Sequence, residues 1–420
     1  VTTNSDPVEE PGTARIAEPV DDQAEPLTIG PVAVGPIAHG GHFVARHEGR
    51  VVFVRHALPG ERVMIAVTDI SQPSYWRGDA IEILDPSPDR IQPACPISGP
   101  GGCGGCDFQH VDPAAQRRLK AEVLAEQLRR LAGLELRVPV EEVPFDGRTG
   151  DGRTGDGLGW RTRMRYLFDD AGHPGLRAHR SHQVIALPPE GCRIAAPAIG
   201  RPATGTTGGE VIGVDAADGV HWLPGGRQET ITEHAVGRDW EVSGDGFWQV
   251  HPAAADLLAT TVLEGLQPDA GEKAFDLYCG VGLFTGALVD AGCRVIGVES
   301  SGAAVAAARR NLADAGSRAR FQTSRVDRAL GAPRGRSALP GSTDLVVLDP
   351  PRSGAGRKVV EQIVRRRPRA IAYVACDPAA LARDLGYLQK QAYELVSLRA
   401  FDLFPMTQHF ECVAILRPSS

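Results

Sequence analysis

No apolar run in this 420-residue sequence approaches the roughly 18 residues needed to cross a bilayer, so a helical membrane span is not expected. Residues 1–26 lack both a basic n-region and an apolar core, so no secretory signal is expected there and a cytoplasmic location follows. Lysine is scarce, with four residues (Lys120, Lys273, Lys358 and Lys390) against 41 arginines. Phosphate binding and GC-rich coding explain that bias equally well. Net positive charge is also missing: the sum is −7, and residues 1–26 hold seven acids against Arg15, leaving only −1 for the remainder. An acidic, proline-containing segment without aromatics reads as a disordered tail. The near-neutral remainder does not exclude a nucleic-acid partner.

What is present falls into three further blocks. Residues 27–87 carry short β-branched runs (VVFV, RVMIAV, GDAIEIL) between Gly, Pro and Asn/Asp-type turns, the pattern of a small barrel or sandwich. Residues 88–240 form a central α+β segment. Its clearest element is a helix over 112–133, with Asp112 at the cap, Pro113 in the first turn, apolar residues at helical spacing and Gly133 at the end. A tandem GRTGD repeat at 147–157 reads as a flexible insertion. Trp160-Arg161-Thr162-Arg163-Met164-Arg165 is either a phosphate-binding and stacking surface or a strand with an exposed basic face. From 241 to 420, strands alternate with helices, which predicts a parallel, doubly wound Rossmann-like α/β domain.

Four strand ends of that last domain carry chemistry. FDLYCGVGLFTG places Gly280 and Gly282 in the turn between a strand and a helix, and Glu299 ends the next strand, where it can accept ribose hydroxyls. The third glycine of a dinucleotide site and the Gly-Lys-Ser/Thr of a phosphate loop are absent, so S-adenosylmethionine fits better than NAD or ATP. Asp349-Pro350-Pro351-Arg352 and Cys376-Asp377-Pro378 follow two further strands, and the ligand crevice of such a sheet lies outside its strands' carboxyl ends. Asp349 and Cys376 are therefore expected at one site. His409 and Glu411 stand just before the last strand, where a carboxylate needs a partner or a task. Eight cysteines are unevenly spread: Cys95, Cys103 and Cys106 cluster, with Cys192 downstream, and suggest a metal site. Spacing alone leaves zinc and iron–sulfur both open. Cys279, Cys293 and Cys412 read as packing residues.

The motifs DLYCGVGLFT, LDPPR, VACDP and DLFPMTQHFE, in this order, resemble the RNA (uracil-5-)-methyltransferase family. GFWQVHP (246–252) resembles its F-x-Q-V-N element, residues 27–87 resemble its N-terminal TRAM domain, an OB-like RNA-binding barrel, and the cysteine cluster resembles that of its iron–sulfur branch. The resemblance implies Cys376 as the nucleophile toward C6 of uracil, Glu411 as the general base that removes the C5 proton, and Asp349 and Gln249 as contacts to the donor and target base. It implies a donor pocket of Gln249, Tyr278, Gly280, Gly282, Leu283, Glu299, Asp327 and Asp349. It also implies a 4Fe–4S cluster on Cys95, Cys103, Cys106 and Cys192, with zinc as the alternative. The expected substrate is a uridine of 23S ribosomal RNA, with transfer RNA second, handled by a monomer. This sequence departs from the family at Ala375, Asp377 and His251, where Ser, Asn and Asn are usual, and in a longer first cysteine gap. Two other readings compete: a methyltransferase acting on an exocyclic amine, and a non-catalytic RNA-binding protein. Arg352, Cys376 and Glu411 count against the former, and the intact set of motifs counts against the latter.

Overall fold

In the computed structural model, residues 27–145, 156–205, 209–225, 229–333 and 339–419 are described; the acidic segment 1–26 and most of the GRTGD insertion lie outside them. Strands β1 (Thr28–Ala38), β2 (His42–His47), β3 (Arg50–Arg55), β4 (Arg62–Asp69) and β5 (Tyr75–Asp85) close into a barrel in the order β1-β2-β3-β5-β4. The barrel expectation therefore holds, and the sandwich does not. Alternation along the strands sends Phe43, Val52, Val54, Val63 and Ile65 inward.

Helix α1 (Pro113–Gln127) begins as the sequence predicts, with the Asp112 carboxylate accepting the Ala114 and Ala115 N–H groups at 2.9 and 3.2 Å. One side of it (Ala115, Leu119, Val123) completes the barrel core, while Leu124 enters the core of the C-terminal domain. The helix is thus a rivet between two domains. Lys120, fully buried in that joint, donates to Asp402 at 2.6 Å and to the Phe404 carbonyl at 3.1 Å. Truncating one partner of a buried pair leaves an uncompensated charge. Lys120→Met should therefore lower unfolding free energy by about 3–5 kcal/mol in denaturant titrations. Adding Asp402→Leu should recover most of the loss, and equal stability of the single and double variants would refute the pairing.

Strand β6 (Val140–Glu142) follows. Next, β7 (Arg163–Phe168), β8 (Pro174–Arg177), β9 (Val184–Ala186), β10 (Glu210–Ala216) and β11 (Gly219–Pro224) form an antiparallel sheet in the order β11-β10-β7-β8-β9. A hairpin of β12 (Thr230–Ala235) and β13 (Arg238–Ser243) packs Ile231 and Trp240 into the C-terminal core.

The C-terminal domain contains α2 (Ala254–Leu266), β14 (Lys273–Leu277), α3 (Leu283–Asp290), β15 (Arg294–Glu299), α4 (Gly302–Asn311), β16 (Ala319–Thr323), α5 (Val326–Gly331), β17 (Leu345–Leu348), α6 (Arg357–Val364), β18 (Ala370–Ala375), α7 (Pro378–Gln389), β19 (Tyr393–Asp402) and β20 (Glu411–Pro418). The sheet order is β16-β15-β14-β17-β18-β20-β19-β6, with buried clusters on both faces. The order reverses between β14 and β17, which makes the ligand crevice of a doubly wound sheet.

The sheet departs from the purely parallel expectation. Strands β16 to β18 are parallel, but β20 runs antiparallel to β18 and β19 antiparallel to β20. This reversal has a consequence for the site. A strand in parallel register would present its N-terminal residue at the edge away from the crevice. Running the other way, β20 brings Glu411 to the crevice edge. Among the described residues, no helix is long and apolar enough to cross a membrane.

Candidate active site

Strand β14 passes into the turn Tyr278–Gly282. Tyr278 (φ 66°), Gly280 (φ 52°) and Gly282 (φ 98°) all adopt left-handed backbone there, which is costly for the tyrosine and natural for the glycines. The Tyr278 and Cys279 N–H groups donate to the Val298 carbonyl at 2.8 and 3.1 Å. The space over Gly280 is open: a side chain there would meet nothing within 4 Å. Leu283 begins α3 from this turn. Glu299 folds back beside it, one oxygen accepting the Gly280 N–H at 3.3 Å and the other the Ser301 N–H at 2.8 Å. Asp327 sits in the first turn of α5, paired with Arg325 at 3.1 Å and Lys358 at 3.6 Å. Burial first, and then the charges of Asp327 and Asp384, push the Tyr278 phenol up to about 12. Gln249 is buried in the loop between β13 and α2.

Asp276, the first residue of the DLYCGVGLFT motif, to which the sequence assigns no role, is the electrostatic centre of this crevice. Completely buried on β14, it accepts the Thr285 hydroxyl at 2.6 Å, while its other oxygen has no partner. Burial pushes it up to about 7. Asp349 is likewise pushed up to about 7, by burial first and by Asp276 second. An acid inside an apolar strand run was the available signal.

The register places the remaining groups. Ala375 of β18 pairs with Cys412 of β20, so the next residues outward, Cys376 and Glu411, lie across from each other where the ladder ends. Burial, Glu411 and Asp349 together push the Cys376 thiol up to about 12, with Arg352 opposing them. Glu411 is held well above the usual carboxylate range by burial and then by Asp349, and its Oε2 has no partner. The Arg352 guanidinium lies 3.1 Å from His409 Nε2, and burial followed by Arg352 pushes that imidazole down to about 4. Cys376, Arg352, His409 and Phe410 share one cavity of about 180 Å³ with His39, Gly40 and Gly41 of the barrel. Asp349, Cys376, Arg352 and Glu411 are thus brought together as expected.

The loop after Arg352 has its own support. Buried Asp384 of α7 accepts the Tyr373 hydroxyl at 2.8 Å and the Ala355 and Gly356 N–H groups at 2.8 and 3.0 Å. His251 does not line this cavity. It packs between the rings of Phe145 and Trp160 at 5.0 and 6.1 Å, and burial pushes it down to about 4.

The Trp160–Arg165 stretch is a correction. Trp160 is fully buried, and Arg163 is buried against Glu233 at 3.0 Å and the Gly244 and Gly246 carbonyls at 3.1 Å. Neither can stack on or clamp RNA; Arg161, Met164 and Arg165 line a cavity wall.

That cavity, about 590 Å³, is lined by Cys95, Cys103, Cys106 and Cys192 together with Arg161, Arg177, His179 and Arg193. All four cysteines are free thiols. Burial pushes Cys103 up to about 11 and raises the other three, and neighbouring thiols push Cys103, Cys106 and Cys192 in the same direction. Among the described residues, no three His, Cys, Asp or Glu side chains are gathered into a ready-made coordination site. The sequence's packing assignment for Cys279, Cys293 and Cys412 agrees with their burial.

Residues 238–418 match the family model described as tRNA (Uracil-5-)-methyltransferase, and residues 28–81 match the TRAM domain. A Streptomyces avermitilis protein named as an uncharacterized RNA methyltransferase is 48% identical, over 93% of this chain and 98% of its own length. One from Streptomyces coelicolor, named likewise, is 46% identical over 96% of each chain. In fold, the chain is similar to the crystal structure of Pyrococcus abyssi tRNA (uracil-54, C5)-methyltransferase in complex with S-adenosyl-L-homocysteine. The TM-score is 0.67 with 22% identity, covering 92% of this chain and 99% of the other.

Proposed function

Since the chain belongs to the RNA methyltransferases that join a TRAM domain to a (uracil-5-)-methyltransferase domain, we propose that it moves a methyl group from S-adenosylmethionine to C5 of a uridine in 23S ribosomal RNA through a covalent Cys376 adduct. The observation that carries this reading is the meeting of Cys376, Asp349 and Glu411 at one crevice beside the glycine turn.

C5 of uracil is a poor nucleophile toward a sulfonium. The Cys376 sulfur adds to C6 and turns C5 into an enolate carbon, splitting one hard step into two. C5 takes the methyl group and S-adenosylhomocysteine leaves. Glu411 then removes the C5 proton, and the electrons of that C–H bond restore the C5–C6 double bond and expel the thiolate. The free thiol is strongly protonated among acids, so the cationic sulfonium and Arg352 supply the positive charge that makes thiolate accessible. Asp349 and Gln249 contact donor and base, and Tyr278, Gly280, Gly282, Leu283, Glu299 and Asp327 complete the donor pocket. The uridine must leave its stack, because both faces of its ring are used.

The thiol cavity fits an inorganic cluster by its donor set. Four free cysteines on the walls of one cavity of about 590 Å³ supply the all-thiolate donor set that a cubane cluster takes. Cys95, Cys103, Cys106 and Cys192 would hold a 4Fe–4S cluster there, a structural group on the RNA side. Anaerobically purified protein should contain about four iron atoms and matching sulfide per chain. Cys106→Ser should drop iron below about one per chain. Stoichiometric zinc in its place would overturn the cluster.

Nucleoside mass spectrometry with fragment mapping, on RNA from cells with and without the protein, tests the substrate. Loss of one 5-methyluridine from 23S fragments is the expected result. Loss from a transfer RNA fragment would move the substrate to that class, and loss of neither in a strain lacking paralogues would refute the uracil chemistry.

A further inference from the structure

The turn between β1 and β2 does more than close the barrel. It projects into the active-site cavity, where Ile37, His39, Gly40 and Gly41 share walls with Arg352, Cys376, Asp377 and His409. The turn is seated tightly. A Cβ on Gly41, which has φ 73°, would lie 2.9 Å from Gln408 Cβ and 3.4 Å from Asp107 Cβ, so only glycine lets the hairpin reach this depth.

At that depth His39 Nε2 donates to Asp377 Oδ2 at 3.0 Å, across 338 residues of sequence. Asp377 is bonded on both oxygens, because its Oδ1 accepts the Ala380 N–H at 2.7 Å and caps α7. Its own backbone follows Cys376 directly. Asp377 is also one of the positions at which this chain departs from the family's usual residue; an uncharged amide there could not form an ion pair with an imidazolium.

We propose that His39 is a positioning residue for the methyl-transfer reaction: through Asp377 the barrel hairpin fixes the segment that carries Cys376, so that docking of the RNA-binding barrel and orientation of the thiol are one event. The inference rests on Cys376 as the reacting thiol.

The charges around the pair support a protonated His39. Asp377 bonds it from the β18–α7 turn, Glu126 faces it from α1, and Lys120, Arg352 and His409 line the same cavity. The hydrogen bond that His39 donates to Asp377 outweighs burial and raises His39 above its ordinary value of 6.5. A group with a raised folded value contributes while protonated. The latch is therefore complete below about pH 6.5 and fades as pH rises through the raised value.

The test is single-turnover methyl transfer from pH 6 to 9, with unmodified transcripts of 23S ribosomal RNA and of transfer RNA as probes, using whichever the wild type methylates. The imidazole is 41% exposed, which keeps the effect modest. His39→Ala should slow the saturated rate roughly three- to fivefold at pH 6 and by less than about twofold at pH 9, with unchanged RNA affinity and melting temperature. In an Asp377→Asn background the His39→Ala penalty should vanish. An equal penalty in both backgrounds, a pH-independent penalty, or weaker RNA binding with an unchanged saturated rate would each overturn the proposal. A wild type that methylates neither RNA would instead refute the reading on which it rests.

Discussion

Cys376→Ala should reduce methyl transfer by more than about 10³-fold while leaving S-adenosylmethionine affinity within about twofold of wild type. The two halves of this expectation come from different parts of the structure. In the proposed reaction the donor binds over the turn that leaves β14, where the open space above Gly280 and the groups at Tyr278 and Glu299 are untouched by a change at the end of β18. The thiol serves only the base, and without it C5 never acquires enolate character. Cys376→Ser tests the same step more finely. A hydroxyl is still harder to ionise than a thiol already pushed up to about 12 by burial, Glu411 and Asp349, so serine should be nearly as inactive as alanine. Equilibrium titration with the donor and single-turnover transfer into RNA measure the two quantities separately. An alanine variant that loses donor binding in proportion to activity would make Cys376 a structural residue, and one that retains turnover would remove the covalent route.

The strand ends were legible because local rules suffice for them. An apolar run of strand length followed by Asp349-Pro350 or Cys376-Asp377 announces where the chain leaves the sheet, and alternation with helices announces which edge the crevice occupies. Helix α1 was legible from its cap and spacing; its start agrees with the structure, while its α-helical part stops at Gln127 and a π-helical turn over Leu128–Ala132 carries the chain to Gly133. What was hidden depends on pairings distant in sequence. Nothing near Arg163 reveals that Glu233 lies 3.0 Å from it, which is why a stretch that read as either a nucleic-acid surface or a strand with an exposed basic face holds Trp160 and Arg163 inside the fold. The direction of β20 was equally hidden, since an apolar strand carries no mark of its orientation, and β19 was not recognised. Asp276 opened a recognised motif without a role of its own, and Asp384 lay unremarked within an ordinary helix pattern, although both organise the crevice. The His39 contact with Asp377 joins two domains that a linear reading divides at residue 87.

Glu411→Gln should convert the enzyme into a trap. Thiol addition and methyl transfer need no base at C5, so one equivalent of S-adenosylhomocysteine should form per enzyme. The product at that stage is a 5-methyl-5,6-dihydrouridine bonded through C6 to Cys376, and it still carries the C5 proton. Glutamine cannot accept that proton, so the C6–S bond persists and turnover should fall by about 10²–10⁴-fold. On a denaturing gel, label from the donor's methyl group should move with a protein–RNA band approaching one adduct per chain. In the proposed reaction Glu411 suits this task better than its two basic neighbours. Arg352 and His409 sit beside the thiol, but an arginine stays protonated and the histidine, pushed down to about 4, is a weak base near neutrality. Glu411 has the opposite property: burial and Asp349 raise it, which makes it a stronger base once ionised. The same shift fixes the pH sign. The protonated carboxyl is inactive in this step, so wild-type turnover should climb with pH through the raised value of Glu411. The residual release rate of Glu411→Gln should not follow that limb. Rapid turnover by the glutamine variant with no trapped band, or an adduct that lacks the methyl label, would take the proton-removing step away from Glu411.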